Sequence, residues 1–198
     1  MRSLTQILFL IFSISVNAQS ISEYEKQLNI EPISNNAKEI RVYKKYAIST
    51  GLELFIFYFD DSSNKYKAEY YYVTVDKKNN KLVKKLDLES IYNMEFNALN
   101  LFLSHAKYLP SEQKIWYKFI PKPDIFIEDG YIYHIIGKPM SIIDGISYSI
   151  QIQDNDSYNE VEYSNPESYL KNYPEIDELQ TINEFLDFIK SSFGIYKN

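Results

Sequence analysis

Three runs of β-branched and aromatic residues follow one another in the first half of the chain. They read EIRVYKKYAIS, LELFIFYFD and YKAEYYYVTVD, and short segments containing TG and DDSSN separate them. Such runs bounded by turn residues are typical of β-strands joined by hairpins. The middle run is apolar at successive positions, as expected of a central strand with both faces covered. The pattern predicts three consecutive antiparallel strands.

The third run contains three tyrosines in a row, and side chains alternate between the two faces of a strand. We expect one face to be core, with Tyr66, Ala68, Tyr70 and Tyr72. We expect the other face to be partly wetted, with Lys67, Glu69, Tyr71 and Val73. Tyr71 then lies at a half-exposed position, either as ordinary cover for the sheet or as part of an aromatic platform for a ligand. It is our candidate binding residue.

The later segments add helices and further strands. KLVKKLD predicts a short strand, and the stretch LESIYNMEFNALNLFLSHAKYLP has the period of a helix with a broad apolar face that ends before Pro110. DIFIEDGYIYHII and PMSIIDGISYSIQIQ each carry Asp-Gly between strand-like runs, a strong signal for a tight hairpin. From Pro174 to Phe193 apolar residues recur at helical spacing, and Gly194 is a C-terminal stop.

These elements predict an α+β fold: an antiparallel, curved sheet of about six to eight strands with a mid-chain helix and a C-terminal amphipathic helix. We expect residues 38–198 to form this single domain. Residues 19–37 are polar and lack a sustained period, so we expect a poorly ordered N-terminal segment with one short helix from Ser22 to Leu28.

The first 18 residues have the layout of a secretory signal peptide. Arg2 is followed by an apolar run from Ile7 to Val16 and by small residues ending at Ala18. That run is too short to span a bilayer. We expect cleavage after Ala18, a periplasmic or secreted protein, and no membrane span in the mature chain.

Charge and residue usage exclude several classes of function. The formal net charge of −6 argues against a nucleic-acid partner, because phosphate binding depends on Lys and Arg. The absence of cysteine excludes disulfides, thiolate metal sites and cysteine nucleophiles. With five glycines and no phosphate-binding motif, the sequence predicts no cofactor, and no spacing of His or carboxylates predicts a metal.

Four residues are weak catalytic candidates for a hydrolase: Glu160, Glu162, Asp129 and His134. Glu160 and Glu162 share a face of a predicted strand about 6 to 7 Å apart. That spacing is close to the separation of glycosidase carboxylates, but those pairs come from opposite walls of a cleft, and a charged edge strand is the favoured interpretation of this pair. His134 alternates with isoleucines, which favours a core or half-buried histidine over a catalytic one.

Three segments, YNMEFNALNLFL, MSIIDGISYSIQI and YSNPESYLKNYPEIDEL, resemble uncharacterised exported proteins of Bacteroidetes-type bacteria. The resemblance extends from about Glu39 to the C-terminus and implies an envelope setting without an assigned activity. The 19 tyrosines favour an interface, because tyrosine supplies contact area at low entropic cost. The leading interpretation is a non-enzymatic protein that binds a protein or glycan partner. A hydrolase of envelope glycan or peptide and a periplasmic immunity-type inhibitor are the alternatives, and the oligomeric state stays open.

Overall fold

The computed structural model describes residues 21–47, 51–75, 81–135, 137–142 and 145–196. The chain divides into two compact units, Met1–Pro32 and Ile33–Asn198. The described part of the first unit contains helix α1 (Ile21–Leu28), which confirms the predicted short helix. The predicted signal peptide lies outside the described residues, and all the elements that follow belong to the second unit.

Six strands of the second unit form an antiparallel sheet in the order β4-β3-β2-β1-β7-β8. They are β1 (Lys38–Tyr46), β2 (Leu52–Asp60), β3 (Lys65–Val75), β4 (Lys81–Asp87), β7 (Ile146–Asp154) and β8 (Ser157–Ser164). The three consecutive strands predicted in the first half are confirmed as neighbours. The central position of β2 is confirmed as well, since Leu52 through Phe57 are all buried.

Two more strands form a separate hairpin, β5 (Asp124–Glu128) and β6 (Tyr131–Ile135). The predicted Asp-Gly turn joins them, with positive φ angles of 50° at Asp129 and 82° at Gly130. Two successive positive φ angles are the requirement of the tight turn that matches strand twist. The α+β class with an antiparallel sheet is thus confirmed, and the strands of the described residues are divided between two sheets.

Of the second predicted Asp-Gly hairpin, residues 139–142 are not a strand, and the turn residue Asp144 lies outside the described residues. Both edges of β7 are already paired, with β1 on one side and β8 on the other. At the start of β7, the side-chain oxygen of Asn165 accepts a hydrogen bond from the Ile146 N–H at 2.8 Å. A Cβ on Gly145 would lie 1.6 Å from that oxygen, so glycine is needed for this close approach.

Helices cover one face of the six-stranded sheet. They are α2 (Met94–Phe102), α3 (Glu112–Ile115), α4 (Pro166–Asn172) and α5 (Asp177–Phe193), with 3₁₀ turns at His105–Tyr108 and Trp116–Phe119. The main core joins strand residues such as Phe57 and Ile150 to Leu101 of α2 and Leu186 of α5. The helices predicted at α2 and α5 are confirmed, and α5 ends at Gly194 with a φ of 65°. No helix among the described residues is long and apolar enough to cross a membrane.

Candidate binding surface

Helix α2 is apolar on two opposite sides. Its N-terminus is capped by Asn93, whose side-chain oxygen accepts a hydrogen bond from the Phe96 N–H at 2.6 Å. The inner side contributes Ala98, Leu101 and Phe102 to the core. The inner side of α2 therefore packs against the core. The apolar residues on its other side do not take part in that packing.

The outer side of α2 and one residue beyond each of its ends carry an exposed apolar stripe: Tyr92, Phe96, Leu99 and Leu103. Their exposed fractions are 46%, 45%, 60% and 69% in that order. The four positions are spaced by four, three and four residues, so they follow one face of a helix. Single exposed apolar side chains are common, but a continuous stripe indicates an interaction surface.

Helix α5 extends the stripe through Phe188. The Phe188 ring lies 6.4 Å from the Tyr92 ring and 6.5 Å from the Phe96 ring, measured between centroids, and the Tyr92 and Phe96 rings are 5.2 Å apart. The three aromatic rings form one cluster across the two elements. Such clusters gain energy beyond the area that they bury.

A polar linkage fixes the start of α2 against the end of α5. The Ser90 hydroxyl donates to the Ser192 carbonyl at 3.1 Å and accepts from the Asn97 side-chain amide at 2.7 Å. The Ile91 N–H also donates to the Ser192 carbonyl, at 3.0 Å. Asn97 and Ser192 are fully buried and Ser90 is half-buried, so these bonds lie at the boundary between the core and the surface. The two helices therefore present their outer residues in a fixed arrangement.

A cleft of about 320 Å³ opens where the stripe meets α5. Leu103, Phe185 and Phe188 supply its apolar lining, and His105 and Glu184 are among its polar residues. We call Tyr92, Phe96, Leu99, Leu103 and Phe188, together with this cleft, the α2–α5 surface. The acidic groups near it, Glu184 in the cleft and Glu95 in the first turn of α2, are both exposed.

Tyr71 does not lie on a wetted face, and that expectation is wrong. It is only 7% exposed, and β3 places it opposite Leu54 of β2, which is fully buried. Its hydroxyl donates to Glu69 at 2.7 Å, and the Lys85 ammonium lies 5.4 Å from its ring centroid. A residue held in this way offers little area to a ligand. Tyr72, expected in the core, is instead 44% exposed.

Glu69 also binds a second tyrosine and a lysine. The Tyr58 hydroxyl donates to it at 3.0 Å, and the Lys85 ammonium lies 2.9 Å from its carboxylate. Burial raises the pKa of Glu69, but the hydrogen bonds from Lys85 and the two tyrosines outweigh burial and hold the pKa below its ordinary value. Glu69 is therefore an ionised anchor for Tyr58 and Tyr71.

Glu53 forms a similar cluster on the helix side of the sheet. Its carboxylate accepts hydrogen bonds from the hydroxyls of Tyr46 and Tyr70, and the Lys44 ammonium lies 3.6 Å from it. Lys44 and Glu53 are cross-strand partners in β1 and β2 and are 3% and 6% exposed. The Lys44 ammonium also lies 5.2 Å from the centroid of the Tyr196 ring. Every charge in the cluster thus has a partner, as buried charges require.

The tyrosines of this cluster are hydrogen-bond donors and not bases. Burial, followed by the hydrogen bond and charge of Glu53, raises the pKa of Tyr46 and of Tyr70 far above the ordinary value. Both phenols therefore stay protonated at neutral pH. The hydrogen bonds to Glu53 join the neighbouring strands β1, β2 and β3. Neither tyrosine is a phenolate that could act as a nucleophile or general base.

The four catalytic candidates are placed on two different sheets. Glu160 and Glu162 lie on β8, one of the two edge strands of the six-stranded sheet. Glu160 accepts a hydrogen bond from the Tyr158 hydroxyl at 2.9 Å, and the Glu162 carboxylate lies 3.5 Å from the Lys45 ammonium. Asp129 and His134 lie on the β5–β6 hairpin. His134 is exposed, so its expected core or half-buried position is wrong: the hairpin that carries it is exposed along its whole length.

None of the four candidates lines the α2–α5 cleft or a second cleft of about 370 Å³ between Ser34, Phe59 and Asn155. Within the described residues, no group of three or more His, Asp or Glu side chains is arranged to hold a metal ion. The α2–α5 surface was not predicted from the sequence. Its signal is the segment NALNLFL, which is apolar on more sides than one packed helix needs.

Comparisons of the chain with protein-family models, with curated proteins and with solved structures give no match. The resemblance of the three sequence segments to exported bacterial proteins therefore stays an expectation.

Proposed function

We propose that the protein is an exported, non-enzymatic binding protein of the bacterial envelope and that a protein partner docks on its α2–α5 surface. The observation that carries the proposal is the stripe of Tyr92, Phe96, Leu99 and Leu103, exposed on the side of α2 opposite the core. Exposed apolar patches of this kind are typical of docking sites. The signal-like first 18 residues support an envelope location.

The chemistry of the surface favours a protein over a glycan. Leu99 and Leu103 are the most exposed members of the stripe, and their side chains offer no hydrogen bond to sugar hydroxyls. Tyr92, Phe96 and Phe188 supply the rigid aromatic area that is enriched in protein interfaces. A protein segment with apolar side chains can pack against both the leucines and the aromatic rings of the surface.

The shape and charge of the surface favour an amphipathic helix as the docking element. The stripe is elongated along α2 and borders a cleft that can accept side chains, which is the arrangement used in helix-in-groove recognition. Exposed Glu95 and Glu184 favour Lys or Arg on the edge of the partner helix, because complementary charge steers association.

Affinity capture from envelope extract of the host tests the proposal with two matched variants. Leu99→Asp places a charge in the stripe, and Leu82→Asp places the same charge at an equally exposed leucine on β4 (60% and 57% exposed). A partner should be retained by the wild type and by Leu82→Asp, and lost by Leu99→Asp. Equal retention by both variants, or a captured glycan in place of a protein, contradicts the proposal.

A further inference from the structure

The β5–β6 hairpin has two exposed apolar faces. One carries Ile125, Ile127 and Ile132, which are 70%, 72% and 74% exposed. The other carries Phe126, Tyr131, Tyr133 and Ile135, at 40%, 69%, 45% and 59%. A two-stranded hairpin is at best marginally stable alone in water, so further pairing would stabilise it.

The two outer edges of the hairpin differ in charge. Strand β5 begins with Asp124 and ends with Glu128, whereas β6 reads YIYHI and contains no Asp, Glu, Lys or Arg. Charges on an edge strand oppose pairing with another strand. In the part of the chain that the structure describes, the outer edge of β6 is unpaired. The outer edge of β6 therefore lacks the charged side chains that oppose pairing with another strand.

We propose that β6 pairs antiparallel with β6 of a second copy of the chain, about a two-fold axis at Tyr133, and so forms a dimer with a continuous four-stranded sheet. In that register Tyr133 faces its own copy, Tyr131 faces Ile135, and Ile132 faces His134. None of these pairs sets like acidic or basic groups against each other, whereas the equivalent pairing of β5 would set Asp124 against Glu128. The interface is self-complementary, as a two-fold dimer requires.

Aromatic contacts support this register. Phe126 and Tyr133 already stack across the hairpin, with 5.5 Å between ring centroids and 19° between planes. Pairing at Tyr133 extends this contact into a row of four rings, two from each copy. Cross-strand aromatic pairs are among the more favourable contacts of a sheet.

Charge at the ends of the hairpin also fits antiparallel pairing of two copies. The tip carries Glu128 and Asp129, and the base carries Asp124 with the flanking Lys122 and Lys138, all exposed, so the base has an excess of positive charge. Antiparallel pairing brings the acidic tip of one hairpin towards the basic base of the other. This complementarity selects a second copy over a foreign strand as the occupant of the β6 edge.

Sedimentation equilibrium of the purified protein tests the proposal with two variants of one cross-strand pair. Ile132→Lys adds a charge on β6, and Ile127→Lys adds the same charge at its partner on β5, which lies away from the new interface. The wild type should dimerise, Ile127→Lys should still dimerise, and Ile132→Lys should raise the dissociation constant at least about tenfold. Adding His134→Glu to Ile132→Lys should restore the dimer, because opposite charges then face each other.

Cross-linking gives a second readout, since the chain contains no cysteine. Under mild oxidation Tyr133→Cys should form a disulfide between two copies, because directly opposed residues in a sheet lie within disulfide range. Ile127→Cys should form much less. A monomeric wild type, equal loss of dimer in both lysine variants, or equal cross-linking at both positions overturns the proposal.

Discussion

The rings of Tyr92 and Phe188 lie parallel, with 6.4 Å between their centroids and 4° between their planes. Tyr92 precedes α2 and Phe188 belongs to α5, so the contact joins the two elements beside the cleft. Tyr92 nevertheless remains 46% exposed. The surface is thus both accessible and held in place, and a preorganised surface loses less entropy on binding.

Replacing Leu99 by Asp should reduce the binding of an apolar dye such as ANS. The substitution interrupts the stripe, whereas Leu82→Asp alters a leucine of similar exposure elsewhere. Dye fluorescence should fall in Leu99→Asp relative to Leu82→Asp at equal protein concentration. Because both positions are exposed, the free energy of unfolding should change by no more than about 0.5 kcal/mol in either variant. An equal fall in fluorescence would count against a distinct apolar surface on α2.

Tyr71 should be a stability residue and not a contact residue. Tyr71→Ala removes a buried ring and its hydrogen bond to Glu69, and should cost about 3 kcal/mol in urea unfolding. Tyr71→Phe keeps the ring and should cost only about 1 kcal/mol. Partner capture should survive Tyr71→Phe. A wild-type stability in Tyr71→Ala would show that the ring is not packed.

The sequence predicts the local elements better than the exposure of their faces. Runs of β-branched and aromatic residues bounded by turn residues are sufficient to predict β1 to β3, and apolar residues at helical spacing are sufficient to predict α2 and α5. Tyr71 is buried opposite Leu54, its partner in the neighbouring strand, on a face of the sheet that also buries Val73. Lys67 and Glu69 on the same strand predict a wetted face, and Lys67 is indeed exposed, but they give no information about the burial of Tyr71 and Val73 further along.

The candidate surface was missed for a similar reason. A helix that is apolar all round reads as a more deeply buried helix, and only the packing of α5 shows which side is covered. Likewise, two apolar runs joined by Asp-Gly, as in β5–β6, predict their own pairing but not whether the hairpin joins the six-stranded sheet. The short helical turns between His105 and Phe119 have too few residues for a periodic signal.

Glu53→Ala should be more destabilising than Glu69→Ala. Removing Glu53 leaves the Lys44 ammonium, whose side chain is 4% exposed, without its carboxylate, and should cost about 3 to 5 kcal/mol. The lysine beside Glu69 is Lys85, whose side chain is 47% exposed and can be hydrated instead. Urea unfolding of both variants measures the difference. Equal losses would contradict the role assigned to burial.

Two carboxylates should change stability with pH in opposite directions. Burial raises the pKa of Glu112 above its ordinary value of 4.5, and the nearby Glu162 adds to the rise against an opposing hydrogen bond from the Ser164 N–H. Its folded form therefore prefers the proton. The contribution of protonated Glu112 to folding stability is fully present below pH 4.5, the unfolded-state value, and is lost as pH rises through the folded-state pKa.

Glu167 behaves in the opposite way. Burial raises its pKa, but the hydrogen bond and charge of Lys190 outweigh burial and hold the pKa below its ordinary value. Its contribution is present above the unfolded-state value of 4.5 and is lost as pH falls through the folded-state pKa. At neutral pH Glu112→Gln should stabilise the protein and Glu167→Gln should destabilise it. Thermal unfolding from acid to neutral pH should show both differences shrinking in acid, and a shared sign would contradict the assignment.

The most direct test of the α2–α5 surface is site-specific photo-crosslinking in envelope extract. A photoreactive phenylalanine analogue would replace Leu99 in one sample and Leu82, an equally exposed leucine on β4, in the other. We expect one discrete cross-linked protein at position 99 and none at position 82. A cross-linked protein at position 82 alone, or none at position 99, would contradict the assignment of α2 as the docking site.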